Sequence, residues 1–395
     1  MLTGSAFSSS QQETIQREFS HLKDKPVFNF NTAYFGPSPL RAKNYMLEMI
    51  KEEMDSTYLP YQNWMKTPHE IRESLSKLIP VKKENIFHST STTDTNILIA
   101  QHYPFAADDY YCVFEGEYPS NVLPYLRRAE KGHFKVKILE LPPEGEPIDV
   151  SYLQKNLPTK CKALTISHLS FNSGRYTDLS VIGPYLRSRN VMLFVDGTQF
   201  VGGHSLSSKE IQYADVYNFS TYKWMLGGYG HAFSYFSDNF FNKLDISHGN
   251  WLSEISDVAR LTDYSMVDSK NLRPYHLDRG QAANRLLMSA LKGSLELFHE
   301  IGLSAIEKHN QSLAQHFIKE FQFKKFKLSC AKEEIKHIVC LTCTDKNLNS
   351  ALALSELQKH QIDASVREGN IRLSFHLFNE LPQVEKLLDV LSSTV

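Results

Sequence analysis

Residues 191–204, VMLFVDGTQFVGGH, and residues 214–230, ADVYNFSTYKWMLGGYG, decide the fold. Each begins as a short apolar run, rich in Val, Phe and Tyr, that stops at a polar residue and a glycine, the pattern of a buried strand and its exit turn. The first run ends in Asp196; the second ends in Ser220, Thr221, Tyr222 and Lys223. The 27 residues from Asp196 to Lys223 suit a strand end, a short helix and a second strand. Outward from this pair, ENIFHS, YYCVFE, KVKILE and KALTISH read as further strands, and TTDTNILIAQHY and DLSVIGPYLRSRN as helices between them. Strand and helix in alternation imply right-handed crossovers and an α/β fold with a mostly parallel sheet, here expected to have seven strands. In such a sheet ligands sit beyond the carboxyl ends of the strands.

Near residue 280 the texture changes. AANRLLMSALKGSLELFHEIG is a long amphipathic helix with Leu286, Leu287, Leu291, Leu295 and Phe298 on one stripe. A strand is expected near 335–343, a helix near 350–360, strands near 364–367 and 371–375, and a last helix near 380–393. The division expected is therefore 1–280, an N-terminal segment and large α/β domain, and 281–395, a smaller α+β domain. A polar helix near 10–22 suits either one.

Hydrophobic residues are 42% and charged residues 22% of the 395, with Lys+Arg 43 against Asp+Glu 44. That balance excludes a disordered chain and carries no electrostatic footprint for nucleic acid. No apolar run approaches the roughly 20 residues of a membrane helix, and the first residues lack a basic start and apolar stretch, so a cytoplasmic protein is expected. Cys340 and Cys343 have metal-ligand spacing but lie in HIVCLTCT, which reads as a strand. Residues three apart on a strand point to opposite faces, so both read as structural and no metal is expected.

A carboxylate and a lysine at the ends of neighbouring strands face one crevice, and the pair suits pyridoxal 5'-phosphate. A lysine amine forms the Schiff base, and an aspartate keeps the pyridine nitrogen protonated. Taken singly, Asp196-Gly197 also reads as a plain turn and Lys223 as a solvated lysine.

The order Asp196, Gly197, Gln199, Gly202, then Ser220 and Lys223, resembles the D-G-x-Q-x-x-G and S-x-x-K signature of the class V aminotransferase family, fold type I pyridoxal-phosphate enzymes. The likeness runs from about residue 28 to 390. In HSTSTTDTNILIAQHY, Ser91 and Thr92 fall where the family cradles the phosphate at a helix N-terminus, and Asn96 matches the closing Asn. In FEGEYPSNVLPY, Tyr118 takes the column of a stacking histidine, with Asn121, Pro124 and Tyr125 matching the tail of the motif. A tyrosine stacks but is a poorer proton shuttle near neutral pH. TISHLSFNSGRYTDL places His168 and Gly174 in family columns, His168 reading equally as a buried structural histidine, and Asn172 beside the usual ring-hydroxyl contact.

VREGNIRLSFHLFN puts Arg372 in the column that clamps a substrate α-carboxylate, and FNFNTAYFGPSP places Asn31 on the substrate side. Tyr222 stands where kynureninase-like members carry tyrosine, whose hydroxyl reaches the phosphate. Gln281 stands where many relatives contact the phosphate across a dimer interface. The resemblance thus implies cofactor contacts from Ser91, Thr92, Tyr118, Asp196, Gln199, Ser220, Tyr222, Lys223 and Gln281, substrate contacts from Arg372 and Asn31, and a homodimer acting on a small-molecule amino-acid substrate.

The reaction is less fixed than the cofactor. Cysteine desulfurases use a loop cysteine shortly before the carboxylate-binding arginine; none stands between Ala364 and Arg372. The abbreviated ending is that of isopenicillin-N-epimerase-like members, so the leading expectation is an aminotransferase or epimerase-like enzyme. The alternative is a lyase or hydrolase, kynureninase-like or cleaving a C–S bond. A nicotinamide-binding protein is disfavoured, because no GxGxxG follows the first strand. Aromatics Tyr58, Tyr61, Trp64 and Trp251 are candidates for a substrate pocket, with ordinary packing an equal reading.

Overall fold

The structure is a computed structural model. It describes the chain apart from residues 1–5, 24, 26, 56–60, 144–145, 247–248, 252–261, 263, 265–267, 279–283, 323, 347 and 394–395, and the side chains of 61–65 and 269. A seven-stranded sheet runs in the order β2 (Ile86–Ser89), β8 (Ala232–Phe236), β7 (Val216–Ser220), β6 (Met192–Asp196), β5 (Cys161–Ser167), β3 (Tyr110–Phe114) and β4 (Lys135–Leu139). All neighbours are parallel except β8, which lies antiparallel between β2 and β7. The six runs expected as strands are strands; β8 is the seventh.

Alternation along each strand builds two cores. Leu193 and Val195 of β6, Tyr217 and Phe219 of β7, and Cys112 and Phe114 of β3 face one side. Met192, Phe194, Val216, Tyr111 and Val113 face the other. Every residue of β6 and β7 is buried, as a sheet covered on both faces requires. At roughly 25 cal/mol per Å² of apolar surface, each such side chain contributes about 1.5–3 kcal/mol, less the entropy of ordering it. Among the described residues, no helix is long and apolar enough to cross a membrane.

The C-terminal part holds a second, antiparallel sheet in the order β12 (Ser365–Arg367), β13 (Asn370–Ser374), β10 (Ile338–Cys343) and β9 (Phe326–Leu328). Helices Leu303–Glu320, Ser350–Lys359 and Leu381–Ser393 cover it through Phe317, Leu357 and Leu387. The helix Arg285–Ile301 turns Met288, Leu291 and Leu295 into the core of the large sheet. The N-terminal segment does the reverse: β1 (Phe28–Asn29) pairs in parallel with β11 (Ile362–Asp363), and Phe30 enters the small core. The helix Ser9–Glu18 packs Ile15 beside Leu297 and Phe298.

Gly202, the last glycine of the Asp196 motif, has φ +97°, and a Cβ there would lie 2.6 Å from the Trp224 carbonyl. The motif glycine is thus required by the approach of two backbones. Gly202→Ala is expected to cost about 2–4 kcal/mol, from strain at positive φ and the forced separation. Urea denaturation would read this as a lower midpoint at unchanged slope, and an unmoved midpoint would refute the account.

Candidate active site

The C-terminal ends of β5, β6 and β7 bring Ser167, Asp196 and Ser220 to one edge of the sheet. Lys223 follows β7 in a turn that the FGP segment supports. The Gly36 amide donates to the Tyr222 carbonyl at 3.0 Å, and any side chain on Gly36 would overlap the Lys223 carbonyl oxygen. Lys223 is 7% exposed, and its amine lies 5.6 Å from the centre of the Tyr118 ring and 5.4 Å from that of Tyr222. Burial first, then the positive charges of Arg372 and Arg367, lower its pKa to about 7, with Asp196 pulling the other way. A neutral amine, which is the nucleophilic and basic form, is therefore abundant near neutral pH.

Asp196 is fixed at both oxygens. Oδ1 accepts the Thr198 amide at 2.9 Å and Oδ2 accepts Asn121 Nδ2 at 3.0 Å. Asn121 is itself held, its Oδ1 accepting Asn96 Nδ2 at 3.1 Å and its carbonyl the Tyr111 hydroxyl at 2.5 Å. The motif residues Asn96, Asn121 and Tyr125 thus form one network, with the Tyr125 hydroxyl donating to Asn96 Oδ1 at 3.2 Å.

Around the strand ends stands a set of groups that fits a phosphate. Ser91 caps the helix Thr92–His102, its Oγ accepting the Asp94 amide at 3.1 Å, and the Thr92 amide opens the first turn. First-turn amides have no partner within a helix and favour an anion. Ser220 Oγ is buried without a hydrogen-bond partner. A lone buried hydroxyl costs about 1–3 kcal/mol unless something arrives to accept it, so this atom supports the fit of pyridoxal phosphate. Tyr222 stacks on Tyr229 with centroids 4.2 Å apart, and burial, then Tyr118 and Tyr229, push its pKa up, so its hydroxyl stays protonated. Gln281 lies outside the described residues.

Gln199 is placed otherwise than as a simple ring ligand. Its Nε2 donates to the Ala33 carbonyl at 3.0 Å and its Oε1 accepts Trp224 Nε1 at 2.8 Å, so it ties the N-terminal turn to the lysine turn. Asn31 is similar: its Nδ2 donates to Asp363 at 3.1 Å, leaving Oδ1 buried and unpartnered. His168 takes the structural role. It is fully buried, bonded to the Tyr217 hydroxyl at 2.8 Å and to Glu210 at 3.0 Å, and burial lowers its pKa against the pull of Glu210. Asn172 holds loops, donating to the Gly116 carbonyl at 3.2 Å and accepting the Ser170 hydroxyl at 2.7 Å.

Arg372 is 2% exposed on β13, opposite Ser365 and Cys340. Its Nε donates to Ser365 Oγ at 3.2 Å and Nη1 to the Phe171 carbonyl at 3.0 Å, while Nη2 is buried with no partner. A buried guanidinium with a spare nitrogen and no carboxylate among the described residues is suited to an incoming carboxylate. Burial, then Arg367, lower its pKa to about 10, so it stays charged. Tyr118 is 39% exposed and meets Phe171 edge-on at 5.3 Å. Tyr58 lies outside the described residues, as do the side chains of Tyr61 and Trp64, and Trp251 is 38% exposed.

Two residues at the site escaped the sequence reading. Glu117 precedes Tyr118 and bonds to Ser167; Arg367 lies 5.7 Å over the ring of Tyr34. Their signal was present in FEGEY and VREGN, but only the folded register brings them here. Among the described residues, no group of three His, Cys, Asp or Glu side chains is arranged to hold a metal.

Comparison with known proteins shows the family and the fold. The family described as aminotransferase class-V matches residues 41–387. A probable cysteine desulfurase of Pyrococcus abyssi is 24% identical over 380 residues, which are 88% of this chain and 90% of that protein. The apo structure of a cysteine desulfurase from Thermococcus onnurineus superposes with TM-score 0.82 at 21% identity, over 97% of this chain and 98% of the other. A complex of the cystine C-S lyase C-DES with its product cysteine persulfide gives 0.84 at 17% identity, over 95% and 99%. With the family matched over most of its length and a buried lysine beside an anchored aspartate at the strand ends, the chain belongs to the class V aminotransferase family of pyridoxal-phosphate enzymes.

Proposed function

We propose that the protein is a lyase that cleaves the Cβ–S bond of a sulfur-bearing amino acid. This departs from the leading sequence expectation of an aminotransferase or epimerase-like enzyme, because the relatives named above are desulfurases and a C–S lyase. The observation that separates this lyase from a desulfurase is the β12–β13 hairpin, where Arg367 pairs with Asn370 and only Glu368 and Gly369 form the turn. No cysteine stands in it, and of the five cysteines Cys112, Cys161, Cys330 and Cys340 are buried, while Cys343 lies beyond the hairpin on β10. Sulfur is then released as a product instead of passing to an enzyme thiol.

In this reading Ser91, Thr92, Ser220 and Tyr222 would hold the phosphate of the cofactor, Asp196 would serve its ring nitrogen, Tyr118 would cover its ring and Lys223 would bond it. The cofactor supplies an electron sink for a carbanion at the substrate α-carbon. Arg372 takes the α-carboxylate on its spare nitrogen and fixes which bond stands ready to break. Lys223, neutral near pH 7, accepts the α-proton. Tyr222, kept protonated by burial, is a donor for the phosphate, and the α-proton taken by Lys223 is available to the departing sulfur. Overall, R–S–CH₂–CH(NH₃⁺)–COO⁻ and water give R–SH, pyruvate and ammonium. The protein is proposed to work as a homodimer; Leu47, Ile50 and Met54 form an exposed apolar stripe on the helix Leu40–Asp55 that supports assembly.

The test is to incubate cofactor-loaded protein with cystine and S-alkyl cysteines in the absence of any keto acid. Equal amounts of pyruvate and thiol or persulfide are expected. Amino transfer that depends on an added keto acid, with no sulfur released, would sink the lyase reading and restore the aminotransferase one.

A further inference from the structure

Glu117 lies in the loop after β3, and its carboxylate is surrounded by donors. The Ser167 amide reaches Oε1 at 2.7 Å, the Ser167 hydroxyl reaches Oε2 at 2.6 Å, and Asn121 Nδ2 reaches Oε2 at 3.3 Å. The same Asn121 nitrogen donates to Asp196 Oδ2 at 3.0 Å. Two carboxylates therefore share one amide group, each taking one of its two protons. Burial, with Asp196 adding to it, raises the Glu117 pKa, and the bonds from Ser167 oppose that rise. The bond from Asn121 works in the same direction as those from Ser167.

The bridge has a consequence for geometry. Asn121 cannot turn its oxygen toward Asp196 without losing Glu117 as well, so the aspartate always meets a donor and keeps one orientation. We infer that Glu117 is a positioning residue that acts through Asn121 to hold Asp196 oriented against the cofactor ring. The inference rests on the assignment of Asp196 to the ring nitrogen. Glu117 itself touches neither cofactor nor substrate in this account.

A double-mutant cycle of E117Q and D196N tests it, read both by kcat of the loaded enzyme and by cofactor affinity of the apo-protein from quenching of tryptophan fluorescence. E117Q alone is expected to weaken both by about tenfold, the size of a coupling within one hydrogen-bond network. In the D196N background the same change is expected to do less than about twofold, because the residue it acts through has already lost its charge. Losses that multiply in the double variant would overturn the inference and make Glu117 a loop anchor only. If D196N alone changes neither quantity, the assignment of Asp196 falls, and the inference with it. Should E117Q fail to fold, E117D, whose shorter side chain draws the carboxylate back from the bridge, is expected to show the same non-multiplying pattern.

Discussion

Lys223→Ala is expected to lower kcat at least about 10⁴-fold, the upper range of what a positioned acid–base group contributes, and to abolish the cofactor–protein bond that borohydride fixes. Both losses follow from one amine. It is buried, with Arg372 and Arg367 as positive neighbours, and its pKa is lowered to about 7. In the native apo-protein, covalent uptake of the cofactor should accordingly quicken as pH rises through about 7 and then level off. The same shift appears in stability. Between about 7 and the ordinary lysine value of roughly 10.4, the unfolded chain binds a proton that the folded chain does not, so unfolding free energy rises with pH in that window. The variant lacks this slope, and its stability relative to the native protein should fall as pH climbs from 7 to 10. A borohydride-fixed product on the variant, or uptake indifferent to pH, would show that another amine does the work.

Asp196→Asn is expected to reduce kcat/KM by about 10²–10³-fold, the loss typical of one preorganised electrostatic group at a developing charge. The substitution preserves size and the acceptor for the Thr198 amide. It sets an NH₂ group against Asn121 Nδ2, which now donates to this carboxylate at 3.0 Å, so one of the two amides has to turn. Cofactor should still attach to Lys223, since the phosphate groups and the amine are untouched. Steady-state kinetics on reconstituted variant decide the matter, and activity within twofold of the native protein would remove Asp196 from the chemistry.

What was legible in the chain divides by range. Runs such as MLFVD and VYNFS declare buried strands because every residue in them is apolar or can bury its polar atoms, and Asp196 and Lys223 stand out because charge terminates such runs. AFSYF of β8 passed unread: it follows directly on the glycine-rich turn at Gly227, and Ser234 interrupts its apolar face. Gln199 read as a cofactor contact because it matches the D-G-x-Q signature; its amide also bonds Ala33 and Trp224, contacts set by tertiary approach. The bond between Glu117 and Ser167 spans 50 residues and exists only once β3 and β5 are in register. Spacing along the chain carries no trace of such a pairing.

The early strand Phe28–Asn29 is bonded to Ile362–Asp363, and the Asn29 carbonyl also accepts the side chain of Asn379 at 2.7 Å. During synthesis, at roughly 5–20 residues per second, the first-made strand therefore waits on the order of tens of seconds for its partner to leave the ribosome. In that interval Phe30, fully buried at the end, has no core to enter. The large sheet can close without it, but the small one cannot be finished by its own residues alone. A nascent chain of this protein thus holds Phe30 away from its native core until the strand Ile362–Asp363 has emerged.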